Sequence, residues 1–168
     1  MDEDHDLNST VATLAGVLGS PHFPRGDLAE LRRMKTTSYP LAFWRLLSDY
    51  VPDELRLGDS REEEWAVIMN GMAIMAPNIH SPAQIHSVGA VFSTFPQERI
   101  MHFLRSKGEN LVAQIRLLAR LCASKNTPID WTSLTWLLFA GEKAENTRRK
   151  VAKEYVRAIA AHKKEAQK

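Results

Sequence analysis

Apolar residues recur at intervals of three and four along nearly the whole chain, and nowhere do they alternate with polar ones for long. That spacing predicts helices and no strands. Asp27 and Glu30 stand as a capping pair ahead of "LAELRRMK", and Pro40 suits the first turn of "LAFWRLLSDY". Ser60 and Glu63 make a second capping box, opening "EEEWAVIMNGMAIMA", which stops at Pro77. Ser81, Pro82 and Gln84 start the next helix. Pro96 opens "QERIMHFLRSK", with Gly108 as its C-terminal cap. "ENLVAQIRLLARLCASK" follows, Thr127 and Pro128 restart the chain as "IDWTSLTWLLF", and a basic helix runs on after Gly141. The expected fold is all-α: a bundle of seven to eight helices, as one body or as two small helical lobes. Residues 1–25, acidic and punctuated by Gly16, Gly19, Pro21 and Pro24, read as a flexible leader with room for one short helix around Ser9 to Leu18. Residues 26–80 read as an N-terminal lobe and 81–168 as a basic C-terminal bundle, divided near Pro77 to Ser81. Internal repeats are absent.

Composition sharpens this picture in one respect. The 168 residues carry a net charge of only +2, with 44% apolar residues, enough for a real core. The mean hides a polarity. Met1 to Glu64 holds 13 acids and 7 bases, a charge of −6; Trp65 to Lys168 holds 7 acids and 15 bases, a charge of +8. Such asymmetry points to a negatively charged partner on one side. Cys122 is the single cysteine, so no disulfide forms within the chain. It shares a helix face with Leu111, Ile115 and Leu118 and reads as a small buried apolar residue. The N-terminus has no signal-peptide pattern and no stretch is apolar for long enough to span a bilayer, so a cytoplasmic protein without a membrane partner is expected.

Reactive chemistry is not in evidence. GxxxxGK[ST], GxGxxG and HExxH are all missing. His80 and His86, six apart, do not share a helix face, so no metal site is expected. Glu62 to Glu64 fit the first turn of a helix better than an acid and base pair. Met69, Met72 and Met75 with Trp65 and Ile68 form a soft apolar stripe that suits a core, or a groove for a partner. The reading is of a protein that is not an enzyme and uses no cofactor.

Positive charge is the feature that persists. In "NTRRKVAKEYVRAIAAHKK", Val151, Tyr155, Ala158, Ile159 and His162 fall on one helix face, and Arg149, Lys150, Lys153, Arg157 and Lys164 on the other. Arg116 and Arg120 lie opposite Leu111, Ile115 and Leu118. "PQERIMHFLRSK" contributes Arg99, Arg105 and Lys107, and "LAELRRMK" contributes Arg32, Arg33 and Lys35. Arg148 opens the last helix on its apolar side. Several helices thus repeat an apolar face inward and Arg or Lys outward, and the planar guanidinium matches phosphate oxygens. A nucleic-acid track is the expectation. Trp44, Trp65, Trp131 and Trp136 all sit in apolar patterns, so the contacts should be to the sugar-phosphate backbone, with little stacking.

Taken in order, "DLAELRRMKTTSYPLAFWRLL", "EEEWAVIMNGMAIMAP", "ENLVAQIRLLARL" and "PIDWTSLTWLLF" ahead of a basic helix resemble the small subunit of the type I-E CRISPR Cascade surveillance complex, over Gly26 to Ala161. The resemblance implies an all-helical, non-catalytic subunit. It implies two copies packed head to tail, against the backbone subunits that hold the CRISPR guide RNA and against the large subunit. It further implies a basic surface that holds the displaced strand of the target DNA and steadies the guide–target hybrid, with cleavage left to a separate helicase-nuclease. Arg32, Arg33, Arg116, Arg120, Arg148, Arg149, Lys153 and Arg157 carry over to that role. Two other readings stay open: a helix-turn-helix regulator built on "IDWTSLTWLLFAGEKAENTRRKVAKEYV", and a helical adaptor that binds only protein.

Overall fold

The computed structural model describes residues 2–35 and 37–168. Among them are nine α-helices, two short 3-10 turns and no strand; the only β-type pairings are isolated bridges, Lys35 with Ser38 and His80 with Ile129. The chain is all-α, with one helix more than the periodicity predicts.

The extra helix is the first. α1 (Asp2–Gly19) occupies most of the stretch read as a leader. Leu7, Val11, Leu14 and Leu18, spaced four, three and four apart, make one face that is fully buried against α3 (Leu41–Tyr50), α4 (Arg61–Met75) and α8 (Trp131–Phe139). Burial of four such side chains at ~1.5–3 kcal/mol each outweighs the weak local propensity of an acidic, glycine-containing segment.

α4 is the axle of the fold. From Trp65 to Ala73 every residue is buried, and it packs on α1, α2 (Arg25–Arg33), α3, α7 (Gly108–Ser124) and α8. Gly71 lets the Trp131 ring lie against the helix: a Cβ there would stand 2.2 Å from the ring. The methionine stripe belongs to this core, with Met69 and Met72 wholly buried.

Several helix boundaries differ from the expected ones. α2 begins at Arg25 behind Pro24, so Asp27 and Glu30 lie inside it. Ser60 does stand at the N-cap of α4, as expected, but its hydroxyl donates to Glu64 Oε1 at 2.9 Å instead of accepting from the backbone, while Arg61 also reaches Glu64. The stretch from Ser81 yields a 3-10 turn at Gln84–His86 and the short α5 (Val88–Phe92), capped by the Ser87 hydroxyl, which accepts from Ala90 N–H. α6 (Gln97–Arg105) stops before Gly108, which opens α7 in a left-handed conformation instead of closing α6. α8 starts after Asp130, not at Pro128. The Asp130 carboxylate accepts from Thr132 N–H and the Ser133 hydroxyl, and His80 Nδ1 accepts from Trp131 N–H at 3.1 Å. Burial holds the His80 pKa below 6.5, partly opposed by Asp130, and keeps the ring a neutral acceptor. Cys122 is buried, and loss of water pushes its thiol up to about 12, so it is an inert core residue.

Candidate nucleic-acid interface

α9 (Gly141–Ala166) spans about 39 Å. It is held from behind by α5 and α8. Ala144, Thr147 and Val151 are buried on that side. The contact with α5 is made by glycine: a Cβ on Gly89 would stand 2.3 Å from the Val151 carbonyl oxygen and 2.5 Å from Tyr155 N. Glu154 closes the junction, because its Oε2 accepts from Gly89 N–H at 3.2 Å at the start of α5. With its back fixed so closely, α9 must turn its opposite face outward.

That face carries Arg149, Lys150, Lys153 and Arg157, which with Asn146 and Glu154 line a shallow groove. Arg149, Lys153 and Arg157 are exposed and form no ion pair among the described residues. Lys150 is partly engaged, 3.7 Å from Glu154, 4.0 Å from Asp130 and 3.4 Å from the Ser133 hydroxyl. Lys164 continues the face toward the C-terminus, where every residue from Ala160 is exposed. Residues three and four apart on one helix are neighbours, with Cβ atoms about 5–6 Å apart. The result is a ribbon of charge on a rigid support.

Three further predicted cations meet elsewhere. Lys107, Arg116 and Arg148 border a cavity of about 930 Å³ at the N-terminal ends of α4, α7 and α9, together with Glu63, Glu64, Glu109 and Glu145. Arg148 donates to Glu145 Oε1 at 2.8 Å and to the Ser106 carbonyl at 3.0 Å; Lys107 stands 3.8 Å from Glu145. The chain's own carboxylates therefore offset most of this positive charge. Arg116 keeps a buried Nε without a hydrogen-bond partner. It also opposes burial, Glu63 and Glu62, which together raise the Tyr39 pKa.

The other predicted residues stand apart from both groups. Arg32 is exposed but committed to the fold: its Nε donates to the Ala73 carbonyl at 2.8 Å, capping the end of α4. Asn70 answers from α4, donating to the carbonyls of Leu31 and Arg32 at the end of α2. The two helix ends thus lock each other. Arg33, Lys35, Arg105 and Arg120 are exposed on α2, the turn after it, α6 and α7. Arg99 shares the Phe95 ring with Lys125, whose Nζ lies 4.3 Å from the ring centre.

Lys125, Asn146 and Glu154 are members of these clusters that the linear pattern does not single out, and Lys143, which borders neither the groove nor the cavity, pairs with Asp4 instead. Lys143 has a readable signal all the same. Lys143, Lys150, Arg157 and Lys164 follow one another at intervals of seven. His, Cys, Asp and Glu side chains nowhere gather as a metal site among the described residues, and no described helix is long and apolar enough to cross a membrane.

A family model described as CRISPR-associated protein Cse2 matches residues 27–155. No curated protein and no solved structure matches the chain.

Proposed function

The chain belongs to the Cse2 family, the type I-E Cascade small subunits that its helices resemble, and from that premise we propose that it is a non-catalytic strand holder. In this reading it retains the displaced strand of target DNA and stabilises the guide RNA–target DNA R-loop. It does so through phosphate contacts that read no sequence, while seated beside the Cascade backbone and large subunits and a second copy of itself in the cytoplasm. The observation that carries the reading is the outward face of α9, where Arg149, Lys153 and Arg157 stand exposed on a helix whose other side is fixed by Gly89.

The chemistry suits a strand of arbitrary sequence. Cations that neutralise phosphates release condensed counterions, and that gain does not depend on the bases. Exchange of a DNA duplex for an RNA–DNA hybrid is nearly balanced, so a few contacts of ~0.5–1.5 kcal/mol each tip it. The support must not yield while the strand is held, and α9, braced along α5 and α8, meets that need.

A helix-turn-helix regulator fits less well. Its first helix would be α8, where Trp131, Leu134, Leu137, Leu138 and Phe139 are all buried, leaving no face to cross a DNA backbone. An adaptor that binds only protein is separated by experiment. Arg149→Gln, Lys153→Gln and Arg157→Gln are combined, and retention of the displaced strand by the assembled complex is followed against salt. Loss of three phosphate contacts lowers the slope of log affinity against log salt by about 2 for a single strand. Folding and assembly stay intact, because all three side chains are exposed. Unchanged retention at physiological salt would falsify the strand-holding role and leave the adaptor.

A further inference from the structure

We infer that Lys143 is an additional phosphate-binding position at the N-terminal end of the α9 track, and that the Asp4 carboxylate occupies it in the free chain. The inference rests on the reading of α9 as a polyanion track. Lys143 is the first member of the seven-residue series that continues through Lys150, Arg157 and Lys164. Positions seven apart on a helix differ by only about 20° in direction. Lys143 therefore lies next to Lys150 at the edge of that face, about 120° round the helix from Arg149, and precedes the densest run of basic residues.

Two contacts define its state. Its Nζ lies 2.5 Å from Asp4 Oδ1, in the first turns of α1, and 4.0 Å from the centre of the Trp136 ring. The ring is half-buried and comes from α8, so it fixes the ammonium by a cation–π contact. Both partners of the ion pair are partly exposed, at 42% for Lys143 and 56% for Asp4. Exposed pairs of this kind are weak, so the contact Asp4 withholds from a phosphate is worth no more than about 1 kcal/mol, about fivefold in affinity. Glu3 and Asp6 stand in the same turns of α1, exposed and negative. A phosphate run approaching from Arg157 thus meets a sequence-distant carboxylate in the place its next phosphate would take.

Asp4, in the first turns of α1, then acts as an end stop through its contact with Lys143. It sets how much of a strand the track accepts, and it favours strands whose phosphates end the contact near Lys150. Removing the Asp4 charge frees Lys143 without moving it, because Trp136 continues to hold the ammonium.

The test uses the full chain with Asp4→Asn, the double variant Asp4→Asn/Lys143→Gln, and Glu3→Gln as a control for a general loss of negative charge. Fluorescence anisotropy with a labelled oligothymidylate of about 20 nucleotides is recorded from about 50 to about 200 mM salt. Asp4→Asn is expected to steepen the slope of log affinity against log salt by about 0.7, one added phosphate contact on a single strand, and to tighten binding on the order of two- to fivefold at low salt. The double variant returns to the wild-type slope, and Glu3→Gln leaves the slope unchanged. A wild-type slope in Asp4→Asn overturns the inference, as does a gain that survives in the double variant or appears equally in Glu3→Gln. Circular dichroism confirms that α1 remains folded in each. Wild-type protein without salt-dependent binding would remove the α9 reading itself, a separate outcome from failure of the Asp4 variant.

Discussion

Gly89→Ala tests the junction on which the placement of α9 depends. The added Cβ would meet the Val151 carbonyl oxygen at 2.3 Å, Glu154 Cβ at 2.5 Å and Tyr155 N at 2.5 Å, where ordinary contact begins at 3.4 Å. The shortfall is about an ångström against each, and two of the three atoms are backbone, so no side-chain rotation relieves it. α9 must retreat from α5. Overpacking of this kind costs ~1–3 kcal/mol. Retreat also stretches the 3.2 Å bond from Gly89 N–H to Glu154, a further ~1 kcal/mol for a partly exposed contact to a carboxylate. Alanine returns up to ~1 kcal/mol through its better helix propensity. The net destabilisation is ~2 kcal/mol. With an unfolding entropy of ~2.1 cal/mol/K per residue over this length, the melting midpoint falls by about 6 °C. Calorimetry on the purified chain measures it directly. A midpoint within a degree of wild type, or above it, would refute the claim that α5 and α9 touch through bare backbone.

Two more expectations concern stability alone. Ala140, between α8 and α9, has φ 61° and ψ −171°, a region nearly confined to glycine. Ala140→Gly should therefore raise the melting midpoint by about 2–4 °C, and a lower midpoint would show that the turn is not strained. His80 is held below its ordinary pKa of 6.5 by burial, so the unfolded chain takes up its proton first as acid is added. Its contribution is complete above pH 6.5 and drains away as the pH falls from there toward the folded value. Denaturant midpoints at about pH 7 and pH 5 should separate less in His80→Asn, which keeps an acceptor for Trp131 N–H but cannot titrate.

Much of the fold was legible because an amphipathic helix writes its buried face into local spacing. The faces of α7 and α9 are read directly from Leu111, Ile115, Leu118 and Cys122, and from Val151. In the sequence α1 reads only as a flexible leader with room for a short helix around Ser9 to Leu18, for the opposite reason. Its acids and Gly16 dominate the local composition, and only contact with α3, α4 and α8 shows that four apolar residues suffice. Of the two capping pairs, Ser60 marks the start of α4 although its hydroxyl goes to the Glu64 side chain, while Asp27 and Glu30 misplace the start of α2 because Pro24 opens it early. The candidate interface divides along the same line. The α9 cations need only one helix to share a face. Arg32 and Arg148 are spent on carbonyls 41 and 42 residues away, and Lys143 on a carboxylate 139 residues away. Partners at such separations leave no trace in a local pattern.

The seven-residue interval has a geometric outcome for anything that lies along α9. A heptad falls short of two full turns by about 20°, so the line through Lys143, Lys150, Arg157 and Lys164 winds slowly around the axis in a left-handed sense. Each step climbs about 10.5 Å and slips sideways by about 2 Å at side-chain radius. The line leans by about 10° and has shifted some 6 Å across the helix, on that same estimate, by the time it reaches Lys164. A strand in register with Lys150, Arg157 and Lys164 together must cross α9 obliquely, and the helix axis thereby sets the heading at which the strand leaves the subunit.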